Sequence, residues 1–93
     1  MIEMPRKRSR LEIYLDVLEV IKHRVDKPTR IMYSANLSWK PLQEILSTLI
    51  NNGLILEEKT KNSKRYTVTE KGIRALTYFK KTKELVLAEQ MIP

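Results

Sequence analysis

The sequence predicts a mostly helical α+β fold that forms one small domain. The chain has 93 residues, of which 42% are hydrophobic, and this is enough for one packed core but too few residues for two. Apolar residues recur at helical spacing in three long segments, and two short β-prone runs precede the last of them. Capping and breaking residues stand where these segments begin and end.

The first helix is predicted to begin after Ser9, because serine is a good N-cap and Glu12 follows three residues later, as in a capping box. We expect it to end near Arg24, before the helix-breaking run at 26–28. Its apolar residues have helical spacing: Leu11, Leu15, Leu18 and Ile21. Residues 1–8 show no such periodicity and are predicted to form a basic N-terminal arm.

A second, short helix is expected from a Thr29 cap to about Ala35, followed by a tight turn at 36–37. Ser38 is then placed to cap a third helix that continues to Asn52. Two helices joined by so few residues are typical of a helix-turn-helix unit.

The third helix is predicted to be amphipathic. Pro41 is compatible with it, because at the third helical position the missing N–H would be unpaired in any case. Gly53 is placed to adopt the left-handed conformation that ends the helix. The apolar side consists of Leu42, Ile45, Leu46, Leu49 and Ile50. The polar side consists of Lys40, Gln43, Glu44, Ser47, Thr48 and Asn51.

Two β-prone runs, LILEE at 54–58 and YTV at 66–68, flank a polar, cationic loop at 59–65 and predict a β-hairpin. Thr69 is placed to cap a last helix over 70–90. The resulting order is that of a winged helix-turn-helix fold: three helices, a two-stranded β-hairpin wing and a C-terminal helix. We therefore expect the DNA-binding domain at 9–69 and a dimerisation helix at 70–93.

The composition favours a polyanionic partner and argues against enzymes. The net charge is +7 and the isoelectric point about 9.8, which suits DNA, RNA or an acidic membrane surface. The chain contains no cysteine and one histidine, His23, which lies between two cations. Its two glycines, Gly53 and Gly72, are too far apart for a phosphate-binding loop. We expect no catalytic site, metal, cofactor or small-molecule ligand, and no membrane span.

The predicted DNA-binding residues come from the arm, the second and third helices, and the wing. Clustered cations gain affinity from released counterions, whereas lysine, glutamine and serine side chains can read base edges. We expect affinity from the wing and selectivity from Lys40, Gln43 and Ser47. The full set is Arg6, Lys7, Arg8, Arg10, Thr29, Arg30, Ser38, Trp39, Lys40, Gln43, Glu44, Ser47, Lys59, Lys61, Asn62, Lys64 and Arg65.

The only tryptophan, Trp39, lies near the edge of the apolar side of the third helix. We expect its ring to pack against the first two helices, with the indole N–H near solvent or a phosphate. The alternative is a primary contact with DNA.

The C-terminal helix carries more apolar surface than one small domain needs, which predicts a homodimer. Gly72 is expected to weaken this helix slightly. A stripe with coiled-coil spacing suggests an antiparallel helix pair, although packing of the whole helix within the monomer is the alternative. The predicted interface consists of Ala75, Leu76, Phe79, Thr82, Lys83, Val86 and Leu87.

The stretches KPTRIMYSANLSW at 27–39 and YTVTEKG at 66–72 resemble small archaeal winged-helix DNA-binding proteins. These are transcriptional regulators and chromatin-like proteins of crenarchaea and their viruses. The resemblance covers roughly 9–90. It implies the fold, binding to double-stranded DNA and homodimers joined through the C-terminal helix. It also implies a recognition helix at 38–47 and a wing at 59–65.

The leading hypothesis is a homodimeric transcriptional regulator that inserts its third helix into the major groove. The alternatives are a sequence-nonspecific architectural DNA-binding protein and a winged-helix protein-interaction module. RNA binding is less favoured, because few aromatic residues are expected to be exposed for stacking. We expect the protein in the cytoplasm, associated with the nucleoid, or in the host-cell cytoplasm if it is viral.

Overall fold

The computed structural model describes residues 8–91, and the side chains of residues 8–86. Its elements follow the predicted order of three helices, a hairpin and a helix. They are α1 (Arg10–Lys22), α2 (Pro28–Ser34), α3 (Trp39–Asn51), β1 (Ile55–Lys59), β2 (Lys64–Val68) and α4 (Glu70–Met91). The mostly helical α+β fold is therefore confirmed. The predicted contacts of Arg6 and Lys7 and the side chain of Leu87 lie outside the described residues.

The start of α1 is the predicted capping box. The amide of Glu12 donates to Ser9 Oγ over 3.1 Å, and the amide of Ser9 donates to Glu12 Oε1 over 3.0 Å. Two N–H groups that the first turn leaves unpaired are thereby satisfied.

The first three helices end in the same way, with a residue of positive φ just after the C-cap. These residues are Arg24, Asn36 and Gly53, with φ of 67°, 55° and 71°. In α1, the amide of Val25 reaches back to the carbonyl of Val20 over 3.3 Å, which is the Schellman hydrogen bond. The sequence predicted a tight turn at 36–37, but it predicted the left-handed conformation only for Gly53. The predicted end of α1 near Arg24 was slightly late, because the left-handed residue ends the helix at Lys22.

The predicted cap of α2 was wrong. Pro28 is the first helical residue and Lys27 is the N-cap, so Thr29 lies inside the first turn. Proline favours this position because it has no N–H to satisfy and its φ is already helical. In α3, Ser38 does occupy the N-cap position, but its side chain makes no capping hydrogen bond.

In the hairpin, β1 has the predicted five residues but begins one residue later, β2 is two residues longer than predicted, and the loop is shorter. Lys59 pairs with Lys64 at the end of an antiparallel ladder, and the loop is reduced to 60–63. The amide of Thr60 donates to the carbonyl of Ser63 over 2.8 Å and closes this loop. Cationic residues can extend the strands because this end of the hairpin lies in solvent, where pairing requires no apolar side chains.

The core draws side chains from all four helices and both strands. Its buried members are Leu15, Val17, Leu18, Ile21, Ile31, Ala35, Leu42, Ile45, Leu46, Leu49, Ile55, Tyr66 and Leu76. The buried Tyr66 hydroxyl donates to Glu57 Oε2 over 2.8 Å. Burial, and then the Glu57 carboxylate, raise the pKa of Tyr66 well above its usual value. Tyr66 therefore stays neutral, its hydroxyl joins β2 to β1, and its ring is buried in the core.

Hydrogen bonds of Thr69 and Glu19 help to join α4 to the rest of the domain, together with the burial of Leu76 in the core. Thr69 Oγ1 accepts from the amide of Gly72 over 3.1 Å and donates to the carbonyl of Gly53 over 2.7 Å, which confirms Thr69 as the cap. Further along, Glu19 Oε1 accepts from Lys80 Nζ over 3.0 Å. Burial raises the pKa of Glu19, but hydrogen bonds from Lys80 and His23 outweigh it and leave the pKa below its usual range.

Gly72 allows close packing, which helical spacing alone did not show. A Cβ at this position would collide with the carbonyl oxygen of Leu54 and lie 2.7 Å from Val68 Cγ1. The expectation that Gly72 only weakens the helix was therefore incomplete, since the residue lets the start of α4 approach the hairpin.

We predict that Gly72→Ala destabilises the protein by about 1–3 kcal/mol, because the added methyl group has no room. In an isolated helix the same change would be favourable by about 1 kcal/mol. Urea unfolding followed by circular dichroism measures the difference. Unchanged or increased stability would contradict the close approach.

Candidate nucleic-acid interface

The exposed side of α3 is continuous and polar. Leu42, Ile45, Leu46 and Leu49 are buried beneath it, so the sequence-predicted apolar side is the one that packs. Lys40, Glu44 and Ser47 are exposed, and Asn51 extends the row by one further turn. Asn51 was missing from the predicted binding set, although its spacing of four residues from Ser47 places it on the same side.

Two polar residues of α3 are less available than their sequence positions suggested. Gln43 is half-buried. Thr48 is also half-buried, and its hydroxyl donates to the carbonyl of Glu44 over 3.0 Å. The base-reading candidates with the greatest exposure are therefore Lys40, Glu44 and Ser47, with Gln43 at their border.

The wing carries four exposed cations at its outer end: Lys59, Lys61, Lys64 and Arg65. Two of them have distant acidic partners. Lys59 Nζ lies 3.9 Å from Glu57 Oε1, and Arg65 Nη1 lies 3.8 Å from Asp26 Oδ2. Such exposed ion pairs contribute little to the stability of the fold. Within residues 8–86, Lys61 and Lys64 form no ion pair, so their charges are available to a polyanion.

A groove of about 530 Å³ lies between the start of α2, the start of α3 and the wing. We call it the wing groove. It is lined by Lys27, Pro28, Thr29, Trp39, Lys59, Thr60, Lys61, Asn62, Ser63 and Lys64. Five predicted DNA-binding residues from the wing and α3 therefore meet in one concave surface, together with Thr29.

Trp39 lines the wing groove together with Pro28 and Thr29 of α2, and it does not belong to the buried core. Its side chain is 49% exposed. The core beneath α3 is already filled by leucine and isoleucine side chains from the following turns, so the first residue of the helix remains at the rim. Lys27 is a groove residue that the sequence analysis missed. The sequence pattern that could have identified Lys27 is a cation directly before the proline that begins a helix.

Arg8 is used inside the domain, unlike the free phosphate contact that was predicted. Its Nη1 donates to Asp16 Oδ2 and to the carbonyl of Ala35, both over 2.8 Å, and its Nη2 donates to the carbonyl of Asn36 over 3.1 Å. The guanidinium thus joins α1 to the turn that precedes α3. Arg10, by contrast, is exposed. On α2, Arg30 is exposed as well.

The predicted dimer residues of α4 differ in how exposed they are. Leu76 is only 3% exposed and belongs to the core of its own domain, so its assignment to an interface was wrong. Ala75 and Phe79 are half-buried, whereas Thr82, Lys83 and Val86 are exposed.

The exposed apolar surface of α4 extends beyond the predicted interface residues. Tyr78 and Leu85 are each 69% exposed, and Ile73 is 43% exposed. Tyr78 and Leu85 are seven residues apart, which places them on one side of the helix together with Thr82.

Within the described residues, no three His, Asp or Glu side chains are grouped so that they could hold a metal ion. No helix in the same part of the chain is long and apolar enough to cross a membrane.

Arg8 supplies a direct test of this arrangement. We predict that Arg8→Ala lowers the free energy of unfolding by about 1–3 kcal/mol, because it removes charge-assisted hydrogen bonds. Arg10→Ala removes the same charge from an exposed position and should change stability by less than about 0.5 kcal/mol. Thermal or urea unfolding compares the two variants, and equal effects would contradict the internal role of Arg8.

Known proteins share this fold. The model of a family described as winged helix-turn-helix matches residues 7–87. Two uncharacterized proteins of Methanocaldococcus jannaschii, MJ0287 and MJ0290, are 39% and 36% identical to this chain over 66 residues. These residues are 71% of this chain, but 64% of the first relative and 29% of the second. The match thus spans less than two thirds of either relative.

Two solved structures illustrate the likeness. Sso10a-2, a DNA-binding protein from Sulfolobus solfataricus, is 26% identical with a TM-score of 0.73, over 89% of this chain and 90% of that one. ZitR of Lactococcus lactis, a zinc-responsive MarR family member, is 20% identical with a TM-score of 0.68, over 95% and 62%. At 20% identity, the similarity to ZitR shows a shared fold only. The resemblance to small archaeal winged-helix proteins is confirmed, and this chain belongs to the winged helix-turn-helix family.

Proposed function

We propose that this protein is a homodimeric transcriptional regulator that binds double-stranded DNA through α3 and the wing. The observation that carries the proposal is the wing groove, where cations of the hairpin face the first turn of α3. Trp39 of this groove directly precedes the exposed Lys40 on α3, so groups suited to phosphates lie near the start of a helix that carries groups suited to base edges. The name of Sso10a-2, a DNA-binding protein, supports the assignment.

In this proposal α3 lies in the major groove. A helix of this kind fits that groove, and its exposed side chains reach the base edges. Lys40 can donate to guanine, Gln43 to adenine, and Ser47 to either bases or phosphates. The wing then follows the backbone or the minor groove, where Lys61 and Lys64 neutralise phosphates. We expect the exposed Arg10, Thr29 and Arg30 to add contacts to the DNA backbone.

Salt dependence tests the role of the wing. We predict that Lys61→Gln weakens binding to all duplexes alike and reduces the slope of log affinity against log salt by about one, since one phosphate contact is lost. Lys81→Gln is the matched control, because it removes one exposed lysine from α4. Fluorescence anisotropy with labelled duplexes at several salt concentrations measures both slopes.

Equal slopes for wild type and Lys61→Gln would remove the wing from the interface. A reduced slope in the Lys81→Gln control would show that overall charge, and no particular surface, determines the binding.

An architectural DNA-binding protein remains the second candidate, because the chain carries a net charge of +7. The exposed Glu44 favours a specific regulator, since a carboxylate repels phosphates but can accept from cytosine. Selection from a random duplex pool separates the two functions. A regulator enriches one sequence, and an architectural protein retains the pool unchanged.

The homodimer is proposed to form through α4. Tyr78, Leu85 and Val86 leave a large apolar surface in water on one side of this helix, and a second copy of the same helix would cover it. Thr82 lies within this surface and its hydroxyl is already bonded to the carbonyl of Tyr78 over 2.9 Å. It can therefore be buried without leaving an unpaired donor.

We predict that Leu85→Asp weakens dimerisation by about tenfold or more, because the interface would have to bury an unpaired carboxylate. Leu56→Asp is the matched control: Leu56 is 62% exposed and lies on β1. Sedimentation equilibrium measures the dissociation constants. A wild-type monomer at high concentration, or equal effects of the two variants, would contradict dimerisation through α4.

A further inference from the structure

Reading base edges in a duplex would not use the ring face of Trp39. In double-stranded DNA the faces of the bases are stacked on one another, so proteins read base edges. The ring nevertheless lies in the wing groove and is 49% exposed. An exposed aromatic side chain that lines a cationic groove is the feature that single-stranded nucleic-acid sites use to stack a base.

The rest of the wing groove has the second feature of such sites, a cationic wall. Four of its ten lining residues are lysines, Lys27, Lys59, Lys61 and Lys64, and none of the ten is acidic. Lys27 approaches from the start of α2, and the other three from the hairpin. Phosphates on either side of a base held at Trp39 would therefore meet cations from two directions.

The remaining lining residues are small or polar and leave the groove open. Thr60 and Ser63 satisfy each other across the loop through a 2.7 Å contact between their hydroxyls. The volume of about 530 Å³ lies within the usual range of sites for small ligands, which is sufficient for one nucleotide.

We propose that the wing groove binds an unpaired nucleotide, with its base stacked on Trp39 and its flanking phosphates paired with the wing lysines. The ligand is single-stranded nucleic acid. This activity goes beyond duplex recognition by α3, although it uses the same wing cations. Few exposed aromatic residues were expected from the sequence, which disfavoured RNA, but one exposed ring in a cationic groove is enough to stack one base.

The test compares two strands that differ only in their bases. One is an oligothymidylate of about ten nucleotides, and the other is an abasic deoxyribose-phosphate oligomer of the same length. We expect the wild-type protein to bind the thymidine strand about tenfold more tightly, since one stacked base is gained on the same phosphates. Because Trp39 is the only tryptophan, its fluorescence should also be quenched by the thymidine strand and much less by the abasic strand.

Three variants identify the stacking residue by anisotropy of labelled strands. Trp39→Leu should lose the preference for thymidine over the abasic strand, and Trp39→Phe should keep part of it. Tyr33→Leu is the matched control, since Tyr33 is 79% exposed on α2 but does not line the groove. Its preference should equal that of the wild type. Both aromatic side chains are exposed, so replacing them should change the stability of the fold little. A lost preference for the thymidine strand then reports lost stacking.

Equal wild-type affinity for the two strands would overturn the inference, and so would a thymidine preference that survives in Trp39→Leu. An oligouridylate of the same length shows whether the strand is DNA or RNA, and a base-dependent gain with either supports the unpaired-nucleotide site. Duplex affinity is measured in the same buffer. If the protein binds the duplex but shows no preference for the thymidine strand, only the unpaired-nucleotide site is rejected. If it prefers the thymidine strand but does not bind the duplex, only the proposed function is rejected.

Discussion

Burial of one side of α3 is the constraint on which the rest of the molecule depends. Leu42 and Leu49 are almost completely inaccessible to solvent, and side chains of this kind each stabilise the fold by about 1.5–3 kcal/mol when buried. Because the helix cannot turn about its axis without exposing them, Lys40, Glu44 and Ser47 are held in solvent. The same constraint leaves Trp39 at the rim of the helix. A core requirement thus determines both the polar face and the aromatic wall of the wing groove.

The positions of the neighbouring elements follow from how the chain leaves each helix. Left-handed residues at Arg24, Asn36 and Gly53 reverse the backbone within one residue, so α2 and the hairpin begin close to the helix that precedes them. Asparagine adopts the left-handed conformation readily, as at Asn36, whereas at Arg24 the same conformation costs steric free energy. The guanidinium of Arg8 then holds the turn before α3 through two carbonyl groups. The groove depends on these local reversals as much as on the core.

The order of the elements could be predicted because each helix carries its own periodicity and caps, and Ser9, Thr69 and Gly53 act through nearby backbone. What the sequence could not show depends on contacts between distant residues. Arg8 and Ala35 are 27 positions apart, and Gly72 is constrained by the carbonyl of Leu54. Whether Trp39 enters the core depends on which side chains already fill it, and helical spacing does not contain that information. The cations of the wing could be identified from the sequence, because a cluster of charged residues can be recognised without knowing the fold.

The central claim is that one surface, formed by α3 and the wing, binds DNA. An NMR titration of the isotopically labelled protein with a short DNA duplex tests this claim residue by residue. The account predicts that amide shifts concentrate in α3 from Lys40 to Asn51 and in the hairpin from Lys59 to Arg65. The exposed side of α4 should change little. Shifts confined to α4, or no shifts at moderate salt, would contradict it.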